Sequence, residues 1–517
     1  MAETIAEIWS NHERTARWHR LWIEHLKLQN ADPDTVAAYQ RVADAYAAHP
    51  PTAEHYDSAV QAAMLNARHE VVAALVAFNS YAGSDQAHLG LASSDIVDVT
   101  TQGQIVDSLC LIIEHACHVV GRLRQLMVDY ADTRLVARTH GRPAQLTTWG
   151  HRQATVISPL LDWIDRAIDV AHGYPMRPPS GAVGTSADLA RVVGTPGVTT
   201  KVLRDGLEAH MSVSEGSEGI EIVLDTSSPE GPRIVGGSGP LDRYGAELSA
   251  RFGFNDVMDA SRQVYHRSYD VYVASLLSAL ASIAQTWAND RRLEAMLGLG
   301  NESHLTEQSA SSSLPQKNNP RFSERIVALS TVTRSHLGAV AELAGMEWFE
   351  GDVSTSAARK LVLPAMFSNV DEILANWYYV TGLWSLDEAA LRQEVYLHRY
   401  EWASAEIMHR LILGGVSRTD AHRYLREAWA RARRSTKTQR TTEADWFEVA
   451  LGAVLSDAAV SPHPEQVLTR EWLRDVITEM LQAPIGNVAD QIDWLDRRTH
   501  STVRLAPDID WEPSIAP

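Results

Sequence analysis

A histidine between two arginines marks one short polar segment that could bind an anion and transfer a proton. The segment 138–150 contains Arg138, Thr139, His140 and Arg142. We expect it to lie just before a helix, where free backbone N–H groups and the helix dipole favour an anion. An imidazole can donate or accept a proton near neutral pH. A structural role for a lone His beside Gly141 is the alternative interpretation.

A second polar segment, 88–98, combines a histidine with side chains that suit a helix start. Its candidate ligand residues are His88, Ser93, Ser94 and Asp95. Ser and Asp are also preferred N-cap residues, because their side-chain oxygens accept hydrogen bonds from free N–H groups of the first turn. The segment therefore predicts either a helix cap or part of a binding site.

A third polar segment, 311–320, contains three serines, a lysine and two asparagines before a helix that begins near Arg321. A polar surface loop would have a similar composition. However, Lys317 and Asn319 stand between Pro315 and Pro320. Proline restricts the backbone, so we expect a loop of defined shape that directs donors at a ligand.

Long helices must position these segments, because apolar residues recur at steps of three and four. One such stripe runs from Ile105 to Tyr130, a second from Tyr269 to Trp287, and a third from Trp149 to Val170, with Pro159 as a kink. Stripes of this period predict helices that pack at shallow angles in a bundle. The fold class is therefore all-α, with a central bundle at 102–385 between helical domains at 1–101 and 386–517.

One stretch, 192–240, departs from the helical pattern. It is rich in Gly, Ser and Pro and contains the short β-type runs 220–224 and 233–235. It predicts a small hairpin-bearing insertion between two helices of the bundle.

The composition excludes several classes of function. The chain has 517 residues and a formal charge of −19 without a basic cluster, which disfavours nucleic acid as a partner. Its two cysteines, Cys110 and Cys117, indicate no disulfide framework. We expect no metal site, no signal peptide, no run that approaches membrane-spanning length, and a cytoplasmic location.

The three polar segments, in this order on long helices, resemble the fumarase/aspartase superfamily. The third segment is similar to the family's signature loop, Gly-Ser-Ser-x-Met-Pro-x-Lys-x-Asn-Pro. Six of the loop's fixed positions are kept, whereas Ala310 replaces Gly and Leu314 replaces Met. The adenylosuccinate lyase branch is the most similar, through 138–150, 93–98, 180–185, Gln263 and Arg267.

The resemblance implies an elimination that produces fumarate without a cofactor. It implies Ser311 as the general base, with Lys317 and Asn319 on the substrate carboxylate that takes up charge. Ser312, Thr139 and His140 would contact the carboxylates or the leaving group, with His140 as the general acid. The remaining implied substrate-binding residues are His88, Ser93, Ser94, Asp95, Arg138, Arg142, Gln263 and Arg267. The family also implies a small dicarboxylate substrate and a homotetramer with shared active sites.

The leaving group is less constrained. In adenylosuccinate lyases a segment Asp-Ile-Ser-His-Ser-Ser-x-Glu-Arg contributes to phosphate binding; here the matching run, 352–360, has Thr355, Ala357, Arg359 and Lys360 at the changed positions. These changes favour a smaller substrate, and nitrosuccinate is the expected one. Adenylosuccinate, a carboxymuconate cycloisomerase-type reaction and an inactive structural homologue remain the alternatives.

Overall fold

The described part of the protein is mainly helical. The structure, a computed structural model, describes residues 4–48, 50–193, 211–216, 219–224, 240–303, 314, 317–352, 354–436, 443–457 and 470–503. It is 75% helical, with 18 helices and small strand pieces in this part of the chain. The predicted all-α fold class is therefore confirmed.

Between residues 4 and 193 the chain forms eight helices and three strands. The helices are α1 Ile5–Ile8, α2 Asn11–Leu28, α3 Pro33–Ala48, α4 Pro50–Ala67, α5 Glu70–Ala82, α6 Ser93–Asp129, α7 Trp149–His172 and α8 Ala187–Val193. The strands are β1 Arg134–Thr139, β2 Arg142–Thr148 and β3 Pro175–Met176. Pro159 lies inside α7, which continues past it.

From residue 211 onward the described residues form ten further helices and five strands. The strands are β4 Met211–Gly216, β5 Gly219–Leu224, β6 Asp256–Val257, β7 Gly300–Glu302 and β8 Trp384–Leu386. The helices are α9 Pro240–Arg251, α10 Ser268–Leu297, α11 Arg321–Gly345, α12 Ser356–Leu383, α13 Glu388–Leu397, α14 Arg399–Leu413, α15 Arg418–Thr436, α16 Glu443–Asp457, α17 Arg470–Gln482 and α18 Val488–Val503.

The chain divides into two compact units. The first unit comprises Met1–Ala116, Trp163–Ser282 and Ala328–Ile373; the second comprises Cys117–Asp162, Ile283–Val327 and Leu374–Pro517. The unit boundaries fall inside five of the long helices. The three-domain division at 101 and 385 stays a prediction.

Apolar periodicity places the core as the sequence predicts. In α6 the stripe from Ile105 through Leu123 is buried, but at the end of the helix Met127 is buried instead of Leu126. An α-helix turns every 3.6 residues, so a seven-residue repeat drifts around its surface. The buried face therefore moves by one residue over this length.

The predicted insertion contains a hairpin. Strands β4 and β5 pair antiparallel from Met211↔Leu224 to Gly216↔Gly219, which confirms the β-type run 220–224. The run 233–235 lies outside the described residues. Three further two-stranded sheets, β1–β2, β3–β6 and β7–β8, were not predicted; they are short, and β3 and β6 have two residues each.

Helices α6 and α10 are long and apolar enough to cross a membrane by length and composition alone. They correct the expectation that no run approaches that length. Their most apolar windows are 61% and 50% buried inside the protein, and core helices of soluble proteins meet the same criterion.

Candidate functional site

The loop that carries His88 is held by one face of α2. The indole Nε1–H of Trp22 donates a hydrogen bond of 2.9 Å to His88 Nδ1. One turn later on the same helix, His25 Nε2 lies 2.8 Å from the carbonyl oxygen of Leu89. Two polar side chains of α2 therefore fix two consecutive residues of this loop.

The electrostatic environment of His88 favours its neutral form. Burial lowers the pKa of His88, and the nearby His69 lowers it further, whereas the Asp95 carboxylate acts in the opposite direction. His69 is exposed and precedes α5 as its N-cap residue. His69 is not among the predicted site residues, because nothing in the local sequence places it near His88.

Gly90 allows the same loop to approach α8 closely. Its φ is +75°, and a Cβ atom there would lie 3.0 Å from the Cα of Leu189. A side chain would therefore be strained by both backbone angle and contact. Gly90 fixes the path of the chain between His88 and the start of α6.

The side chain of Asp95 is fully bonded to other residues of the protein at the start of α6. Its carboxylate accepts hydrogen bonds from the backbone N–H groups of Ala92 at 2.7 Å, Ser180 at 2.9 Å and Gly181 at 3.2 Å. It also pairs with the buried Arg177 at 2.9 Å. The bond to Ala92 is one half of a capping box, so the helix-cap interpretation of this segment applies to Asp95.

The two serines before Asp95 differ from it in burial and in hydrogen bonding. Ser93 and Ser94 are both half-buried at the first residues of α6. The Ser94 hydroxyl is buried and has no hydrogen-bond partner within the part of the chain that the structure describes. Ser94 is thus available to a ligand in a way that Asp95 is not.

Arg267 is buried in an ion-pair network instead of facing solvent. Its guanidinium bonds Asp98 at 3.0 Å and Glu347 at 2.9 Å, and it lies 4.2 Å over the ring of Tyr265. The backbone N–H of Gln263 donates to the carbonyl of Glu350 at 2.8 Å. Both predicted residues therefore join the segment that precedes α10 to the segment between α11 and α12.

The run 352–360 has its cations in ion pairs. Arg359 is buried, and its Nε bonds Asp270 at 2.7 Å while its Nη2 bonds the hydroxyl of Tyr265. Lys360 pairs with Glu70, which also pairs with Arg14. Arg359 is thus neutralised by Asp270, and Lys360 shares the Glu70 carboxylate with Arg14, all within the first unit.

His140 lies at the tip of a β-hairpin, not at a helix start. Strands β1 and β2 pair antiparallel up to Thr139↔Arg142, and His140 and Gly141 form the two-residue turn between them. Their φ angles are +54° and +72°, which is the signature of a type I′ turn. The predicted placement just before a helix is wrong, because β2 separates this tip from α7.

The hairpin is anchored along its strands and exposed at its tip. Arg138 pairs with Glu394 of α13 at 2.6 Å, and Val136 belongs to an apolar core built mainly from α14–α17. Thr139, His140 and Arg142 are exposed. Among the described residues the His140 ring has no hydrogen-bond partner. The second unit thus offers three polar side chains on a fixed support.

The buried carboxylate of Glu302 binds the residues that follow the signature loop. The Glu302 side chain accepts from the backbone N–H groups of Phe322 at 2.9 Å and Ser323 at 3.2 Å, at the start of α11. Its carbonyl accepts from Asn318 Nδ2 at 2.7 Å. Burial raises the pKa of Glu302, although these hydrogen bonds counteract it. Glu302 therefore ties the end of the loop to β7.

The predicted site residues divide between the two units. The first unit contains His88, Ser93, Ser94, Asp95, Gln263 and Arg267; the second contains Arg138, Thr139, His140, Arg142, Lys317 and Asn319. Lys317 is exposed and Asn319 is half-buried. Ser311 and Ser312 lie outside the described residues, so their roles stay predictions.

Three residues outside the predicted set contact the loops that carry predicted site residues: Trp22 and His25 in the first unit, and Glu302 in the second. Each contacts a partner distant in the chain or outside the matched motifs. Among the residues described, no group of three or more His, Cys, Asp or Glu could hold a metal ion.

Comparison with known proteins agrees with these motifs. The family described as Lyase matches residues 4–196. Adenylosuccinate lyase from Saccharomyces cerevisiae is 25% identical over 82% of this chain and 80% of its own length. The enzyme of the same name from Aquifex aeolicus is 24% identical over 72% of this chain and 75% of its own length.

Solved structures share the fold along nearly the whole chain. A fumarate lyase from Mesorhizobium sp. BNC1 is similar with a TM-score of 0.70 at 19% identity, covering 95% of this chain and 97% of its own. A 3-carboxy-cis,cis-muconate lactonizing enzyme from Pseudomonas putida gives 0.71 at 18% identity, covering 97% and 98%. With the motifs at 88–98, 138–150 and 311–320, these findings show that the chain is similar to lyases of the fumarase/aspartase superfamily, in particular to adenylosuccinate lyases.

Proposed function

We propose that this lyase eliminates a nitrogen leaving group from a substituted succinate and releases fumarate. Nitrosuccinate is the substrate we favour, and its products would be fumarate and nitrous acid. The observation that carries this choice is the state of the run 352–360, where Arg359 and Lys360 are already paired with carboxylates.

A nucleotide phosphate needs donors that are free to bind it. Phosphate is typically bound by Arg forks and Lys, whose charge must not be neutralised elsewhere. Arg359 is 8% exposed and Thr355 is 1% exposed, so neither offers surface to a phosphate group. Lys360 would have to leave Glu70 first. The environment of this run thus supports a substrate without a phosphate.

The proposed reaction begins with removal of the proton beside a carboxylate. Ser311, as an alkoxide, takes this proton, and the electron pair moves into the carboxylate to form an aci-carboxylate. Lys317 and Asn319 stabilise its charge, because preorganised donors aimed at developing charge usually give the largest catalytic term. The pair then returns to form the carbon–carbon double bond as nitrite leaves.

His140 protonates or orients the leaving group in this proposal. Its position at an exposed hairpin tip, with no partner among the described residues, leaves both ring nitrogens available for this. Nitrite is a good leaving group, so protonation matters less than it would for an amine. The homotetramer with shared active sites and the cytoplasmic location are further parts of the proposal.

Adenylosuccinate is the second candidate substrate. The similarity of this chain to adenylosuccinate lyases favours it. A carboxymuconate cycloisomerase-type reaction is a third possibility, named by one structural neighbour. An inactive homologue is the non-enzymatic alternative.

The test is to incubate the purified protein separately with nitrosuccinate and adenylosuccinate, and to follow fumarate together with nitrite or AMP. Fumarate with nitrite alone is the expected result. Fumarate with AMP alone would overturn the choice of substrate. No fumarate from either would contradict both assignments.

Variants of the signature loop then test the general base. Ser311→Ala should abolish fumarate formation, and Ser313→Ala is the matched control because it removes a hydroxyl from the same loop. Wild-type activity in Ser311→Ala would refute the role of Ser311.

A further inference from the structure

Among the described residues, the ring of His88 makes one hydrogen bond, through Nδ1. The partner is the indole Nε1–H of Trp22, at 2.9 Å. An indole N–H can only donate, and a neutral imidazole has one donor and one acceptor nitrogen. Nδ1 must therefore be the acceptor, and the proton of neutral His88 must be on Nε2.

Trp22 is a rigid support for this bond. It is 0% exposed, stacks on Phe78 with ring centroids 5.5 Å apart, and packs edge-on against Trp18 at 6.4 Å. The Trp22 and His88 rings are themselves nearly perpendicular, with an interplanar angle of 76°. Such packing leaves the indole few alternative positions, so the direction of its N–H group is fixed.

The backbone beside His88 is fixed from the same helix. His25 Nε2–H donates to Leu89 O at 2.8 Å, and His25 Nδ1 accepts from the hydroxyl of Tyr244 at 2.6 Å. A displacement of the loop that broke the Trp22 bond would therefore also break this pair. Hence the His88 ring and its backbone are held together.

We propose that Trp22 is a positioning residue that holds His88 as the Nε2–H tautomer, so that His88 donates a hydrogen bond to an acceptor oxygen of the substrate. A carboxylate or nitro oxygen has the required chemistry. This role rests on the proposed function, because it assigns a task to His88 in that reaction. It also excludes His88 as a base acting through Nδ1, which is occupied by the indole N–H.

Other charged groups near His88 do not provide the same control. Asp95 influences His88 electrostatically, but its carboxylate is bonded to Ala92, Ser180, Gly181 and Arg177. His69 is exposed and acts only through its charge. Trp22 alone makes a directional bond to the ring among the described residues.

The first experiment compares Trp22→Phe with Trp18→Phe. Trp18 is a matched control because it lies on α2, is 2% exposed, and its Nε1 is buried without a hydrogen-bond partner in the described ranges. Both variants lose one ring and one N–H, but only Trp22→Phe loses a bond to His88. We expect Trp22→Phe to lower kcat/KM by about threefold to tenfold, the loss of one hydrogen bond. Trp18→Phe keeps an aromatic ring against Trp22, so its activity should remain near wild type.

The second experiment places an amide donor at either nitrogen position. His88→Gln puts its amide near the position of Nε2, whereas His88→Asn puts it near Nδ1. If Nε2–H is the required donor, the Gln variant should retain more activity than the Asn variant. Trp22→Phe should then cause no further loss in the His88→Gln background. Additive losses would show that Trp22 acts through packing and would overturn the proposal.

The tautomer itself can be measured without any activity. In protein labelled with 15N-histidine, the wild-type spectrum should contain an Nε2–H neutral signal that disappears in His88→Gln. In Trp22→Phe that signal should become a mixture of the two tautomers. An unchanged signal in Trp22→Phe would refute the proposal, even if no succinate proved to be a substrate. Failure of the proposed function and failure of this inference are thus distinguishable.

Discussion

The two histidines of the predicted site, the substrate-binding His88 and the catalytic His140, have opposite environments. His88 is half-buried, its Nδ1 is occupied by Trp22, and the adjacent carbonyl is bonded to His25. His140 is exposed on a two-residue turn, with a positive φ and no side-chain partner among the described residues. The tautomer of His88 is therefore fixed by Trp22, a residue of the same unit. No described residue fixes the tautomer of His140, so a bound ligand can determine it.

The difference suggests separate tasks. A donor of fixed direction is useful for binding and orienting a substrate oxygen, since alignment is prepared before the substrate arrives. A proton carrier must instead change between donor and acceptor during the reaction. His88 fits the first description and His140 fits the second.

Replacement of His140 tests its role as a proton carrier and should have the largest effect on activity. Asn tolerates a positive φ, so His140→Asn should keep the turn while removing the imidazole. We expect kcat to fall by about 100-fold, the low end of the range for loss of a general acid, because nitrite needs less protonation than an amine. The melting temperature should be unchanged. Steady-state kinetics and a thermal melt measure both quantities. A wild-type kcat would remove His140 from the mechanism.

The sequence predicted the long helices well, because their burial depends on local periodicity. The stripe of α6 is buried from Ile105 through Leu123. The β1–β2 hairpin was missed, although a two-residue His-Gly turn between β-prone residues is a local signal for one. The His and Arg residues of this segment predicted an anion site before a helix instead.

The contacts around the candidate site could not be predicted in the same way. Trp22 and His88 are 66 residues apart, and Arg138 and Glu394 are farther still. No periodicity reports which side chains meet over such separations. Likewise, Arg267 and Asp95 match a family motif, but only the structure shows that both are bonded within the protein.

Acid should destabilise the region around His88 through its buried histidine partner. Burial lowers the pKa of His25 from 6.5 to about 4. Because the folded-state value is the lower one, the unfolded chain binds more protons between these values. Stability contributed by neutral His25 is therefore complete above pH 6.5 and is lost as the pH falls towards 4, by about 3 kcal/mol.

Urea unfolding at pH 7 and pH 4.5 tests this expectation. The wild type should lose more stability between the two values than His25→Gln, which has no imidazole to protonate. The remaining titratable groups are present in both proteins, so the difference between the two losses isolates His25. Equal losses would mean that His25 does not control acid stability.

A pair of glycines, one in each region, allows the last comparison, in which the difference between the two expected effects is the smallest. Gly90 and Gly141 both have positive φ, +75° and +72°, but only Gly90 is crowded, by Leu189; nothing lies within 4 Å of a Cβ at Gly141. Gly141→Ala should cost about 1 kcal/mol, the price of a left-handed residue. Gly90→Ala should cost about 3 kcal/mol, because strain and close contact combine. Denaturant unfolding of both variants measures the difference. Equal costs would mean that α8 yields to the added methyl group, and that the His88 loop is held less firmly than its hydrogen bonds indicate.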